Sequence, residues 1–497
     1  MTRQDSWSQE MRPRIVDEVD YIIAAFRKNG IDIGVVPEGH GLGYMYAESQ
    51  LLVRERHLGG VLRSLRRQDV QIIPGAPPRQ EPSPDERRPD EPPQGDQPRD
   101  EASRDEPPGD EPAKGEYPPD DFPHILPGLL LLHFTGKSVP EVLEVIDRDL
   151  GEGCATPNHV LTVAGNGFSP DEATSPCPAT DPQEVYEGTE PYPGVCHCNS
   201  GARVRVYIAD TGLLPEAWQH HPWLAGVRGD EDPLSPTLTG GALLPYAGHG
   251  TFVAGVARCM APAAEIYVGN VFDTGGSTLE TDFVTDLQKA LHRGTDIFHL
   301  SDASTTRKDL QPLSFWTWLK QLRQHKGIVC VAPAGNSGTR RPHWPAASPE
   351  VASVGALAAD WRSRASFSNY GGWVDAYAPG RDLINAYASG SYTCDMFPYV
   401  TQVRQFYGMA KWSGTSFSSP IVTGLIADRM WRTGENGIEA AAAVLRAARS
   451  HAIPGVGAIA LPCGGDRGCH CGEDRGCHCG EDRGCRCTDA PHRPRRP

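Results

Sequence analysis

Short, continuous apolar runs recur between residues 203 and 451, and amphipathic stretches separate them. Runs of this length are typical of strands buried on both faces, and the stretches between them have the 3.6-residue spacing of helices. Strands that alternate with helices predict an α/β domain with a mainly parallel central sheet, which we place at 203–455. The predicted strands are 204–209, 266–271, 297–300, 328–332 and 351–354, and the predicted helices include 282–292 and 315–325.

A second pattern precedes this domain. An amphipathic stretch at 16–26 predicts a helix within an N-terminal segment, 1–43. Two strand–helix–strand patterns follow, at 44–73 and at 129–163, and two such halves are typical of a small α+β domain of the ferredoxin-like kind. We therefore predict one small domain that spans 44–163.

Three segments lack the apolar residues that a core needs. Residues 76–121 are almost entirely Pro, Asp, Glu, Arg, Gln and Gly, so we predict a disordered insertion between the two halves of the small domain. Residues 164–202 form a loop-like linker that contains cysteines. Residues 456–497 end in an eight-residue repeat rich in Cys and His, for which we predict disorder or metal binding.

The charge and the hydropathy of the chain disfavour some classes of partner. The net charge of −16 disfavours nucleic acid and anionic membranes. The N-terminus lacks the apolar core of a signal peptide, and the longest apolar run, 125–132, is broken by Pro127 and is too short to span a bilayer. We therefore expect a cytoplasmic protein, with secretion as the alternative if the start codon is misassigned.

Ser416 lies among small residues in the stretch 414–420, and a long apolar run follows it. This layout predicts a tight turn that opens a buried helix, with the serine at the helix N-terminus, where free N–H groups favour negative charge. Pro420 fits the first turn of such a helix. Alone, the stretch indicates no more than a helix cap, because a nucleophilic serine also needs a base, an orienting acid and an oxyanion donor.

Three polar residues elsewhere in the chain match those roles. Asp210 follows a predicted buried strand, His249 lies between two glycines ahead of an apolar helix, and Asn336 follows another predicted strand. Each has an ordinary alternative when it is taken singly: a turn aspartate, a structural histidine and an asparagine in a left-handed turn. The four residues together point to nucleophilic catalysis more strongly than any one of them.

The stretches around these four residues resemble those of the subtilisin-like serine proteases, over roughly residues 203–450. Further stretches match that family in the same order: 221–224, 344–346, 351–356, 367–371 and 377–380. The resemblance implies that Ser416 is the nucleophile, with His249 as its general base. It implies that Asp210 orients the imidazole and that Asn336 donates to the oxyanion. It also implies hydrolysis of protein or peptide substrates without a cofactor, and it leaves room for structural calcium.

One stretch departs from the family pattern. Ser301, Asp302 and Ala303 stand where the family usually has Ser-Leu-Gly or a similar sequence on its substrate-binding strand. An aspartate at this place predicts a preference for basic substrate residues through charge complementarity. The equal alternative is a solvated side chain that points away from the substrate.

The C-terminal repeats carry Cys-x-Cys pairs and histidines, which are soft ligands suited to zinc or copper(I). Their spacing is not that of a zinc ribbon, and slippage of a repeat is the alternative origin of such a tail. The candidate ligands are Cys469, His470, Cys471, Cys477, His478, Cys479, Cys485 and Cys487.

These observations favour a serine endopeptidase, because every catalytic residue type is present. The alternatives are a catalytically silent peptide-binding module with the same fold and a sensor whose protease domain is regulated by metal or redox state. The resemblance also implies that the domain at 44–163 is a propeptide. Such a domain helps the protease to fold and then blocks the substrate cleft with a substrate-like strand. A permanent accessory domain of the same architecture is the alternative to that role.

Overall fold

The computed structural model describes residues 13–68, 70–74, 121–163, 177–178, 191–195, 200–215, 217–234, 242–394, 401–462, 477–480 and 483–487. The predicted disordered insertion at 76–121 lies outside these residues apart from Asp121, and so do most of the predicted linker and of the tail. Contacts between residues divide the chain into two units, 48–158 and a larger one formed by 1–47 and 159–497. The finer domain boundaries given above stay a prediction.

The N-terminal segment contains the predicted amphipathic helix, α1 (Pro13–Lys28), and then a hairpin of β1 (Ile33–Glu38) and β2 (Gly41–Arg54). The apolar face of α1 packs in one buried cluster with Val160 and Leu279. The sequence predicted the helix from its periodicity, but it gave no signal for β1 or for the partners of the helix.

The smaller unit has the strand and helix order predicted for a ferredoxin-like domain. After the end of β2 its elements are α2 (Leu58–Arg66), β3 (Gln71–Ile73), β4 (His124–Leu126), β5 (Leu129–Thr135), α3 (Val139–Leu150) and the start of β6 (Ala155–Thr162). β5 pairs antiparallel with both β2 and β3. α3 begins with a capping box, in which Ser138 and Glu141 satisfy each other's backbone N–H groups.

The larger unit is built on a seven-stranded parallel sheet, which confirms the predicted α/β architecture. Its strands are β8 (Arg205–Asp210), β9 (Arg228–Gly229), β11 (Glu265–Asn270), β13 (Ile297–Leu300), β14 (Val329–Pro333), β15 (Val351–Leu357) and β16 (Ala376–Pro379). Their spatial order is β16-β15-β14-β13-β8-β11-β9. Every residue of β13, β14 and β15 is buried, as expected of parallel strands covered on both faces.

Six helices of the described chain belong to this unit in addition to α1. They are α4 (Ala217–His220), α5 (His249–Met260), α6 (Glu280–His292), α7 (Leu313–Leu322), α8 (Thr415–Thr433) and α9 (Gly437–Ser450). Three-residue 3₁₀ turns lie at Glu55–His57, Pro222–Leu224 and Arg307–Asp309. α8 passes through the core against β14 and β15, and it ends at Gly434, whose positive φ of 75° suits a residue without a Cβ.

Two smaller sheets complete the described chain. One contains β7 (Cys177–Pro178), β10 (Ala242–Leu243), β17 (Leu383–Thr393) and β18 (Val403–Trp412), and the other pairs β19 (Cys477–Gly480) with β20 (Arg483–Cys487). The short strand β12 (Ser277–Leu279) pairs antiparallel with β6. None of the helices in the described part of the chain is long and apolar enough to cross a membrane.

Candidate active site

Three segments bring the predicted catalytic residues to one edge of the parallel sheet. Asp210 is the last residue of β8, whereas His249 and Ser416 lie in the first turns of α5 and α8. Functional side chains collect at the carboxyl ends of parallel strands because the following loops and helix N-termini meet there. The ring centroids of His249 and Phe417 are 5.3 Å apart, so α5 and α8 begin close together.

Asp210 and His249 form a buried pair. Oδ1 of Asp210 accepts a hydrogen bond from Nδ1 of His249 at 2.8 Å and another from the backbone N–H of Thr211 at 2.7 Å. Burial by itself raises the pKa of Asp210, but the charge and hydrogen bond of His249, the Ser301 hydroxyl and the Thr211 N–H hold that pKa below its ordinary value. The carboxylate is therefore ionised at neutral pH and fixes the ring in one tautomer.

The bond at Nδ1 leaves Nε2 of His249 as the basic nitrogen of the ring. Nε2 is buried and has no hydrogen-bond partner among the residues that the structure describes. The rings of Trp412 and Phe417 lie against the imidazole, with centroid distances of 5.4 and 5.3 Å. An oriented imidazole with an unused basic nitrogen in an apolar setting is suited to accept a proton from a neighbouring hydroxyl.

Ser416 occupies the helix N-terminus that the sequence predicted. It is fully buried in the first turn of α8. The backbone N–H of Phe417 donates to the carbonyl of Gly414 at 3.1 Å, which closes the turn around the serine. Free N–H groups and the positive end of the helix dipole favour negative charge at this place.

Asn336 lies beyond the end of β14 and faces the start of α8. Its Oδ1 accepts hydrogen bonds from the backbone N–H and from the hydroxyl of Thr415, both at 2.9 Å. Its Nδ2 is buried and finds no acceptor within the described ranges of the chain. The sequence did not single out Thr415, yet these two bonds aim the amide so that an unused donor stands beside the turn that carries Ser416.

The stretch 301–303 continues from β13 and lies beside the carboxyl end of β8. The backbone N–H of Ser301 donates to the carbonyl of Ala209 at 3.1 Å. Asp302 is 1% exposed, and its carboxylate accepts from the Ser304 hydroxyl at 2.5 Å. Burial raises the pKa of Asp302 well above its ordinary value. The side chain is thus buried rather than solvated, and its effect on substrate preference stays a prediction.

An extended part of the same chain, 160–163, lies between β12 and the stretch that contains Ala303. The end of β6 pairs antiparallel with β12, and the backbone N–H of Val163 donates to the carbonyl of Gly276 at 3.0 Å. On the other side, the N–H of Ala303 donates to the carbonyl of Thr162 at 3.3 Å. The segment therefore adds one strand between two backbone edges, as a bound peptide does in β-augmentation. The sequence predicted a strand here, but not these partners.

The described residues hold no cluster of titratable metal ligands: no group of three or more His, Cys, Asp or Glu side chains there is placed to hold a metal ion. Structural calcium stays a prediction. Of the predicted tail ligands, Cys469, His470 and Cys471 lie outside the described residues, and the others lie in β19 and β20, which pair antiparallel. Zinc or copper(I) on the tail stays a prediction.

The chain is similar to known proteins over about half of its length or more. A family model described as "Subtilase family" matches residues 201–451. The thermophilic serine proteinase of Bacillus sp. (strain AK1) is 30% identical over 324 residues, which cover 61% of this chain and 69% of that protein. Thermitase of Thermoactinomyces vulgaris is 30% identical over 239 residues, which cover 45% of this chain and 74% of thermitase. A solved structure of a cold adapted subtilisin-like serine proteinase aligns with 18% identity and a TM-score of 0.42, over 59% of this chain and 97% of that one.

Proposed function

We propose that this chain, which belongs to the subtilase family and is a serine-type peptidase, is an endopeptidase. Its catalytic residues are then Asp210, His249 and Ser416. In the first half-reaction, Oγ of Ser416 attacks the scissile carbonyl carbon while Nε2 of His249 takes the hydroxyl proton. The imidazolium then gives that proton to the leaving amine, and an acyl-enzyme ester remains on Ser416. Water repeats the sequence with the same base and releases the acid.

Asp210 and Asn336 have separate parts in this reaction. The buried carboxylate of Asp210 keeps the proton on Nδ1 of His249 and stabilises the ring when it becomes a cation. The free Nδ2 of Asn336, together with the backbone N–H of Ser416, donates to the oxygen that becomes negative in the tetrahedral intermediate. No step needs a cofactor, because the proton and the charge are handled by residues of the chain.

The observation that carries the proposal is the buried, hydrogen-bonded pair of Asp210 and His249 with Nε2 left unused. The direct test is to treat the full chain with a fluorophosphonate and to locate the adduct by peptide mass spectrometry. We expect one adduct, on Ser416. An adduct on another serine would contradict the proposal, and so would the absence of any adduct on a folded chain whose cleft is not blocked.

We expect Asn336→Ala to lower kcat by about 10²–10³ with little change in KM, because an oxyanion donor acts only once charge has developed. Asn336→Asp is a sharper variant, since its carboxylate still accepts from Thr415 but offers no N–H. Steady-state kinetics on a fluorogenic peptide measure both variants. A kcat in Asn336→Asp equal to that of the unsubstituted chain would reduce Asn336 to a support for Thr415.

We further propose that 160–163 blocks the substrate cleft in the uncleaved chain, so that the N-terminal part of the protein is its inhibitor. The support is the pairing of this segment with β12 on one side and with Ala303 on the other. Two backbone edges of this kind are what a bound peptide strand would pair with. A tethered strand competes with free peptide at a high effective concentration.

We expect Val163→Asp to raise peptide hydrolysis by the full chain by roughly tenfold or more. Val163 is fully buried beside Asp302, so a carboxylate there has to leave the cleft or remain without a partner. The initial rate on a fluorogenic peptide is the measurement, with intact mass as a check on chain length. Ile73→Asp is the matched control, because Ile73 is 43% exposed. Equal rates of peptide hydrolysis in Val163→Asp and in the unsubstituted chain would contradict the inhibitory role of 160–163.

A further inference from the structure

Asp232 is a buried carboxylate that the proposed reaction does not use. It is 1% exposed and follows β9 in the loop that leads towards α5. One carboxylate oxygen accepts from the backbone N–H of Leu234 at 2.9 Å, and the other accepts from that of Gly248 at 2.6 Å. The backbone N–H of Asp232 donates to the carbonyl of Leu213 at 3.1 Å. Leu213 lies three residues after Asp210, so this bond anchors Asp232 close to the catalytic pair along the chain.

Gly248 is the residue immediately before His249. Its φ of 72° is left-handed, and a Cβ at this place would stand 3.0 Å from the ring of Tyr387. The hydrogen bond that Gly248 donates to Asp232 therefore holds a glycine whose backbone direction sets where α5 begins. Because His249 is the first residue of that helix, a small rotation at Gly248 changes the position of Nε2. Displacements of about 1 Å in a reacting group cost large factors in rate.

The neighbours of Asp232 couple its charge to the catalytic pair. Burial raises the pKa of Asp232 to about 7, against the lowering effect of the Gly248 and Leu234 N–H groups. The negative charge of Asp210 raises that pKa further, whereas His249 lowers it. Tyr387, in β17, faces Asp232. Burial raises the pKa of Tyr387 well above its ordinary value, so its hydroxyl is neutral at the pH near 7 where Asp232 titrates.

We propose that Asp232 is a positioning residue for His249, and that the catalytic arrangement is complete only when the Asp232 carboxylate is ionised. An ionised acceptor binds an N–H group roughly twice as strongly as a neutral one. A protonated carboxyl also carries an O–H where backbone N–H groups already point at both oxygens, so one of those bonds weakens. This inference rests on the proposed role of His249 and makes activity depend on the charge of Asp232.

The test is the pH dependence of the second-order rate of fluorophosphonate labelling at Ser416 in the full chain. As pH falls through about 7 the Asp232 carboxylate of the unsubstituted chain takes up a proton, so we expect its labelling rate to fall there. Asp232→Asn has no carboxylate at this place, so its rate should fall less steeply as pH decreases. Its rate above pH 8 should be about tenfold lower, because an amide cannot accept from both N–H groups.

Glu231→Gln is the matched control, since Glu231 is the exposed neighbour of Asp232, and it should keep the pH dependence and the rate of the unsubstituted chain. An unchanged rate and an unchanged dependence of that rate on pH in Asp232→Asn would overturn the inference. Absence of labelling at Ser416 both in the unsubstituted chain and in Val163→Asp would instead contradict the proposed function, so the two failures are distinguishable.

Discussion

Ser416→Ala should abolish fluorophosphonate labelling and lower kcat for peptide hydrolysis by on the order of 10⁶, the loss seen when a triad serine is removed. The chain should stay folded, because the substitution removes one oxygen from a buried helix turn and adds no bulk. The turn is held by the Phe417 to Gly414 backbone bond and by the bonds of Thr415 to Asn336, none of which uses the serine hydroxyl. Labelling intensity and kcat at neutral pH are the measurements.

Ser413→Ala is the matched control for this prediction. Ser413 lies three residues earlier, and its hydroxyl accepts from the backbone N–H of Asp382 at 2.9 Å, away from the catalytic pair. We expect labelling and turnover to survive that change. Labelling that persists in Ser416→Ala would remove Ser416 from the nucleophile's role, whereas loss in both variants would point to a general effect on the fold.

The central sheet was predictable because burial on both faces leaves a direct mark on the sequence. The strands β13, β14 and β15 are short runs of mainly apolar residues, and polar residues at the end of β8 and after β14 mark their carboxyl ends. The hairpin of β17 and β18 was missed. Its strands mix Gly, Ser and Gln with aromatic residues, and half-buried strands of that kind have no continuous apolar run.

The partners of each element were beyond the reach of the sequence. The strand at the end of β6 was predicted, but its pairing with β12 joins residues more than a hundred positions apart, and no local pattern records it. Asp232 illustrates the same limit for the site. An aspartate in the loop after β9 is typical of turns, and only the folded chain places its carboxylate on Gly248.

Asn336 lies between these two cases. Its position after a buried strand and between small residues marked it as a candidate, together with the resemblance to the protease family. Whether the side chain would serve as a turn residue or as a donor depended on the bonds from Thr415, because they use the amide oxygen and leave Nδ2 without an acceptor among the described residues. The sequence therefore supplied the residue, and the tertiary contact supplied its orientation.

Asp210→Asn should lower kcat by on the order of 10⁴ with a smaller change in KM, and it should leave the protein folded. The amide has the size of the carboxylate and can keep the bond from the Thr211 N–H. If its Nδ2 faces His249, it donates to Nδ1, and the ring proton moves to Nε2, the nitrogen that has to accept the proton of Ser416. If its oxygen faces the ring, the tautomer is kept but the charge that stabilises the imidazolium is lost.

Asp296→Asn is the control that separates this effect from a general loss of strand stability. Arg205 is the first residue of β8, and its Nε lies 3.2 Å from Oδ2 of Asp296. A largely exposed ion pair of this kind contributes about 0–1 kcal/mol to the free energy of unfolding. We expect the kcat of Asp296→Asn to match that of the unsubstituted chain. A kcat in Asp210→Asn equal to that of the unsubstituted chain at neutral pH would mean that the Asp210 carboxylate plays no part in orienting His249.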